Sequence, residues 1–202
     1  MNEIERAISE ISDIRSQLAA STRFRGYAPE AVAMVGVLSL AVLLAQTVWP
    51  ARLAANNAQI ALVWGLVLLV SGAVIGIEAV SRARHRHGGM AAAMLRGAGL
   101  TAVPIGFAGL VIGVAVLVFA PELAWVLPGA WQMLVGVVGL GSHATLPRGI
   151  LWPGLWYMVS GALVCLLSGL RQEITPAMAG IPFIIAHFAI AWSLHKEGDS
   201  PR

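Results

Sequence analysis

Residues 60–80 read IALVWGLVLLVSGAVIGIEAV, a run in which Glu78 is the single ionisable side chain. Its length matches the ~20 residues a helix needs to cross ~30 Å of hydrocarbon. Lipid offers no water to a spare backbone N–H or C=O, so the run is expected as a helix, whose backbone bonds are all internal. Working outward, five further stretches have the same character, at residues 31–48, 97–120, 123–141, 150–170 and 177–194. The whole chain of 202 residues is 58% hydrophobic and 11% charged before its 22 glycines are counted. A soluble domain is about 45–50% apolar with glycine included, so that class is excluded. Disorder is excluded because it needs a shortage of apolar surface. A disulfide-stapled scaffold is excluded because Cys165 has no second cysteine to join. Long, evenly spaced apolar runs also argue against a barrel of short alternating strands. The fold expected is all-α, a polytopic transmembrane bundle of six spans.

Charge placement gives an expected orientation. Alternate threading puts the N-terminal segment, residues 81–96, residues 142–149 and the tail on one side, together holding 11 of the 13 Lys and Arg residues. Only Arg52 and Arg171 fall on the other. The positive-inside rule then places both termini in the cytoplasm. Residues 1–30 are expected as a cytoplasmic segment, 31–194 as the transmembrane domain and 195–202 as a cytoplasmic tail. The first 25 residues carry eight charges and no apolar signal-peptide core, so the start is expected to be retained. Trp49, Trp64, Trp125 and Trp131 fall near the outer boundary and Trp152, Trp156 and Trp192 near the inner one, as expected of an aromatic belt. The net charge of +3 reads as a topology signal and not as a nucleic-acid surface.

Three local features follow. Between the third and fourth spans stand only Pro121 and Glu122; the simplest expectation is a tight hairpin. The alternative lays residues 122–127 along the interface and starts the helix at Pro128, since proline suits a first helical turn. Pro104 falls inside the third span and is expected to kink it. Ile4, Ala7, Ile11, Ile14 and Leu18 recur at alternating spacings of three and four, so residues 2–20 are expected as an amphipathic cytoplasmic helix, available for self-association or for packing on the membrane surface. Gly72 with Gly76 and Gly109 with Gly113 are small residues at four-residue spacing, expected to let helices approach inside the bundle.

For chemistry, the informative residues are polar groups placed in hydrocarbon, because each is costly there and turns inward. They are Gln46, Glu78, Gln132 and His187, with Ser39, Ser71, Thr101, Ser160 and Cys165 as minor members. His187 is expected either as a ring bonded to a helix carbonyl or to Gln132, or as a proton or ligand contact; a third reading makes it an axial ligand of a b-type haem. Glu78 stands one turn before Arg82, which offers an i,i+4 pair at the inner boundary. Turned inward instead, its carboxylate would approach His187 as a proton relay or cation site. His85, Arg86, His87 and Met90 mix histidine with positive charge, a poor metal patch, so no metal is expected. No Walker A, zinc-protease, nucleophile-elbow or CxxC motif occurs, which disfavours an enzyme.

The run from Ile14 to Leu18, then Ser21 to Gly26, resembles the opening of a bacterial family of small multi-span inner-membrane proteins to which no activity is assigned. Pro104 to Gly109, Leu146 to Arg148, Trp156 with Tyr157, and Gly180 to Phe183 extend the likeness over most of the chain. The resemblance implies genes that stand beside a small winged-helix regulator, hence a sensory or regulatory role, and it implies no catalytic residue. The function expected is a binding or sensing module with its ligand site in the bundle interior, oligomeric, and in contact with a cytoplasmic regulator through residues 1–25. A small permease or channel subunit using Glu78 and His187 is the alternative.

Overall fold

The computed structural model describes residues 11, 14, 29–87, 91–141 and 151–199. Six main helices occur there: α1 (Pro29–Val48), α2 (Asn57–His87), α3 (Ala91–Phe119), α4 (Leu127–Gly141), α5 (Leu151–Gly169) and α6 (Pro176–Asp199). A single turn, Pro50–Leu53, follows α1, and a 3-10 turn, Pro121–Val126, leads into α4. No strand occurs among the described residues. All six helices, α4 taken with its 3-10 turn, are long and apolar enough to cross a membrane, which is the composition of a membrane helical bundle.

The helices overrun the expected segments. α2 continues to His87 and α3 starts at Ala91, so most of the stretch read as a loop at 81–96 is helical. Bilayer thickness sets only a minimum length, and no proline occurs between Asn57 and His87 to end the helix sooner. Between α3 and α4 the chain turns through the 3-10 segment Pro121–Val126, and α4 starts at Leu127, beside Pro128. α3 runs on through Pro104 as one helix. The amphipathic helix expected over residues 2–20 lies outside the described residues except at Ile11 and Ile14, which are helical and exposed. Residues 142–149 also lie outside them.

The two ends of the bundle differ. At one, Asn57 Nδ2 donates to the Gln172 carbonyl (2.8 Å) and its Oδ1 accepts the Ile174 N–H (3.1 Å), clasping the start of α2 to the α5–α6 connection. Gln172 there takes a left-handed φ of 54°. Asn56 Oδ1 caps α2 through the Gln59 N–H (2.8 Å) and Thr175 Oγ1 caps α6 through the Met178 N–H (3.2 Å), each taking up a helix-end donor. These contacts define the connection end of the bundle. At the other, the basic end, Arg82 Nε donates to Glu78 (2.6 Å) and Arg82 Nη2 reaches Glu30 (3.4 Å), joining α2 to the start of α1.

α4 lies against α5 more extensively than any other described pair, followed by α1 against α6. The α4–α5 seam depends on Gly129 and Gly136 of one helix meeting Gly161 and Gly154 of the other, backbone to backbone. Packing and not hydrophobic transfer drives association in lipid, so closeness of approach sets the strength of such a seam. The glycine pairs singled out by spacing behave differently. Gly109 and Gly113 do approach a neighbour, the Trp131 ring, whereas a Cβ on Gly72 or Gly76 would meet nothing within 4 Å. That pair faces outward and cements nothing inside the bundle.

Tryptophan placement also corrects the belt. Trp64 is buried and Trp131 fills a slot cut by Gly65, Gly109 and Gly113, with its Nε1 donating to the Gly109 carbonyl (2.9 Å). Trp49, Trp152, Trp156 and Trp192 keep exposed positions, and Lys196 stands 5.1 Å above the Trp192 ring. A large ring goes inside where glycines open a space of its shape, and lipid-facing depth alone does not reveal that space.

Candidate functional site

α1 turns Val32, Val35, Gly36, Ser39 and Gln46 inward at spacings of three and four, with one longer step, and so presents one stripe to α6 and α2. Gln46 sits at the connection end of that stripe. Its Nε2 donates to the Leu53 carbonyl (2.9 Å), and its Oε1 accepts the Trp64 indole N–H (2.9 Å). Both halves of the amide are therefore used, which is what burial at 0% exposure demands. Trp64 in turn lies against Gly180 of α6, where any side chain would collide with the ring.

One layer deeper, Gln132 of α4 donates from Nε2 to the Ala179 carbonyl of α6 (3.1 Å). Deeper again, about 12 Å along α6 from Ala179 at 1.5 Å per residue, is His187. Its Nδ1 lies 2.9 Å from the Phe183 carbonyl one turn back and 2.9 Å from the Tyr157 hydroxyl of α5. A carbonyl only accepts, so this geometry favours a proton on Nδ1, donated to Phe183, with the Tyr157 oxygen alongside. In the neutral tautomer with that proton the lone pair is on Nε2. The Tyr157 hydroxyl is also 3.5 Å from the Phe183 carbonyl, so one backbone oxygen anchors both side chains.

Phe183 is the aromatic hub of these layers. Its ring centroid is 4.2 Å from that of His187, 5.9 Å from Tyr157 and 6.0 Å from Trp64, the last two edge-on. Edge-to-face pairs at such distances contribute about 0.5–1.5 kcal/mol beyond their buried area. Ser39, Ser71 and Ser168 bond back to carbonyls four residues earlier, and the Ser168 hydroxyl also lies 3.5 Å from the Trp125 carbonyl.

Of the residues expected at a site, the structure brings Gln46, Gln132 and His187 into one file, linked through Trp64, Ala179 and Phe183. His187 takes the helix-carbonyl partner, not Gln132. Glu78 stands apart: its carboxylate is held by Arg82 at the basic end. Tyr157, Trp64 and Phe183 were missed by the sequence reading, which had placed the first beside a belt tryptophan and the second within the belt. The available signal was Phe183 one turn before His187, and a tyrosine inside an apolar span. No group of three or more His, Cys, Asp or Glu side chains that would hold a metal occurs among the described residues.

Tyr157→Phe isolates the hydroxyl. It is expected to lower stability by about 0.6 kcal/mol, the average for such bonds in membrane bundles, and by no more than about 1.7 kcal/mol. Reversible unfolding in mixed micelles measures it; a larger loss would mean that the hydroxyl holds more than His187.

Compared with protein-family models, with curated proteins and with solved structures, the chain matches none, so the site must be read from its own residues.

Proposed function

We propose that this protein is a binding and sensing module of the bacterial inner membrane, with both termini cytoplasmic and its ligand site in the bundle interior between Gln46 and His187. The observation that carries this reading is the asymmetry of the interior. Polar side chains run from the connection end through Gln46, Trp64 and Gln132 to His187 with Tyr157. Toward the basic end the buried positions include Val32, Val35, Ala79, Gly154 and Ala191, without polar side chains, and Ser71, whose hydroxyl is taken up by the Val67 carbonyl of its own helix. A polar file that stops at mid-depth suits a site reached from one face.

The permease alternative needs polar groups to continue to the other face, and the nearest acid, Glu78, is neutralised by Arg82. Under the positive-inside orientation the polar half faces outward, and residues 1–25 are left on the inside to contact a cytoplasmic regulator or a second copy. Haem is not part of this reading. The cavity beside Phe183 is about 10 Å³, far below the ~300–1,000 Å³ of ordinary ligand pockets, and a purified sample is expected to show no Soret band.

Two measurements test the proposal. Reporter fusions at both termini are expected to report the cytoplasm; opposite faces would remove the orientation and with it the outward site. Proteoliposomes are expected to show no proton flux above empty vesicles, and a flux abolished by His187→Ala would replace sensing by transport.

A further inference from the structure

Gln132 is 3% exposed and only half satisfied. Its Nε2 has the Ala179 carbonyl, but its Oε1 is buried and has no partner among the described residues. A buried acceptor left in that condition costs about 1–3 kcal/mol. Beside it, between α2, α4 and α6, lies a cavity of about 10 Å³ walled by Trp64, Pro128, Trp131, Gln132, Ala179 and Phe183. A space of roughly 10–15 Å³ for the molecular centre takes one water-sized molecule.

Apart from the second hydrogen on Gln132 Nε2, the wall side chains offer no spare donor. The Trp64 N–H is committed to Gln46 and the Trp131 N–H to Gly109. Pro128 has no N–H, and Pro182 on α6 also lacks one, so the Met178 carbonyl, next to Ala179, loses its usual i+4 donor. The occupant that completes this chemistry brings hydrogens. It is also neutral, because the wall residues include no acid to offset a cation taken out of water.

We propose that the cavity at Gln132 binds one neutral hydrogen-bond donor of a single heavy atom, water or ammonia, which donates to Gln132 Oε1. The proposal rests on the interior-binding reading above and names the class of molecule its middle layer accepts. It also accounts for a half-paired glutamine at the α4–α6 contact: the occupant is its second partner.

A high-resolution structure of the full chain in nanodiscs, prepared without ammonium salts, tests it directly. A density peak at hydrogen-bond distance from Gln132 Oε1, about 2.7–3.2 Å, is the expected result and assigns water. Gln132→Met keeps the side-chain length and removes the acceptor, and is expected to lose the peak while the α4–α5 seam stays in place. The ammonia arm compares melting of the wild-type protein in ammonium chloride and in sodium chloride, in mildly alkaline buffer at equal ionic strength. An ammonium-specific rise in melting temperature that Gln132→Met abolishes assigns ammonia. An empty wild-type cavity, at a resolution where other buried waters are visible, together with no ammonium-specific shift, overturns the proposal even if the Met variant fails to fold. An empty cavity would leave the terminal fusions and the flux result untouched, so the two readings fail separately.

Discussion

Gly161→Leu is expected to separate α4 from α5 and leave little folded protein. A Cβ on Gly161 would already lie 2.6 Å from the Gly129 carbonyl oxygen and 2.9 Å from the Met133 backbone nitrogen. The reciprocal position is as tight: a Cβ on Gly129 would meet Cys165 Sγ at 2.6 Å and the Gly161 oxygen at 2.7 Å. Much of the obstruction is backbone, so no rotamer change relieves it, and the helices must move apart along the most extensive pair in the bundle. Even Gly161→Ala is expected to cost about 1–3 kcal/mol, the range for overpacking a close-packed interior, and leucine exceeds it. The control is Gly72→Ala or Gly76→Ala, where the new Cβ meets open space. Those changes are expected to cost nothing and to stabilise by up to about 1 kcal/mol, since alanine is the better helix former. Helical signal followed through a detergent titration measures all four variants. Equal effects at Gly161 and Gly72 would mean that the seam is not where the fold is held.

Trp64→Ala carries the next largest effect, a loss of about 3–5 kcal/mol, as for large aromatic residues removed from a core. Trp64 is 2% exposed and touches three helices' worth of partners: Gln46 on α1, Phe183 and Gly180 on α6, and its own α2 neighbours. Its removal leaves a void that the fixed seams on either side prevent from closing, and it strips Gln46 Oε1 of its donor. The same substitution at Trp152, 77% exposed, is expected to change bundle stability by less than about 0.5 kcal/mol. Equilibrium unfolding of the two variants side by side checks the contrast. If Trp64→Ala behaved like Trp152→Ala, the interior file from Gln46 to His187 would lose its structural support.

Much of the candidate site was legible because polar side chains are conspicuous in hydrocarbon. Gln46, Gln132 and His187 stand out by type alone, and all three prove to be buried and hydrogen-bonded. The Glu78–Arg82 pair was legible as well, since partners four residues apart on one helix meet whatever the rest of the fold does. Tyr157 was not, because its role arises from His187, 30 residues along the chain on another helix.

The helical class and the six segments long and apolar enough to cross a membrane follow from the sequence by itself. Crossing hydrocarbon is a one-dimensional requirement, residues counted at 1.5 Å each, and the backbone has one way to meet it in a single segment. Which face of each helix turns inward was decided only by the tertiary structure. In water an apolar stripe marks the buried face, but in lipid both faces are apolar and that contrast fades. So Gly129 and Gly161 meet while Gly72 and Gly76 face outward, and Trp64 goes to the core while Trp152 stays at the surface. Shape complementarity between particular helices makes those choices, and it exists only once the helices are together.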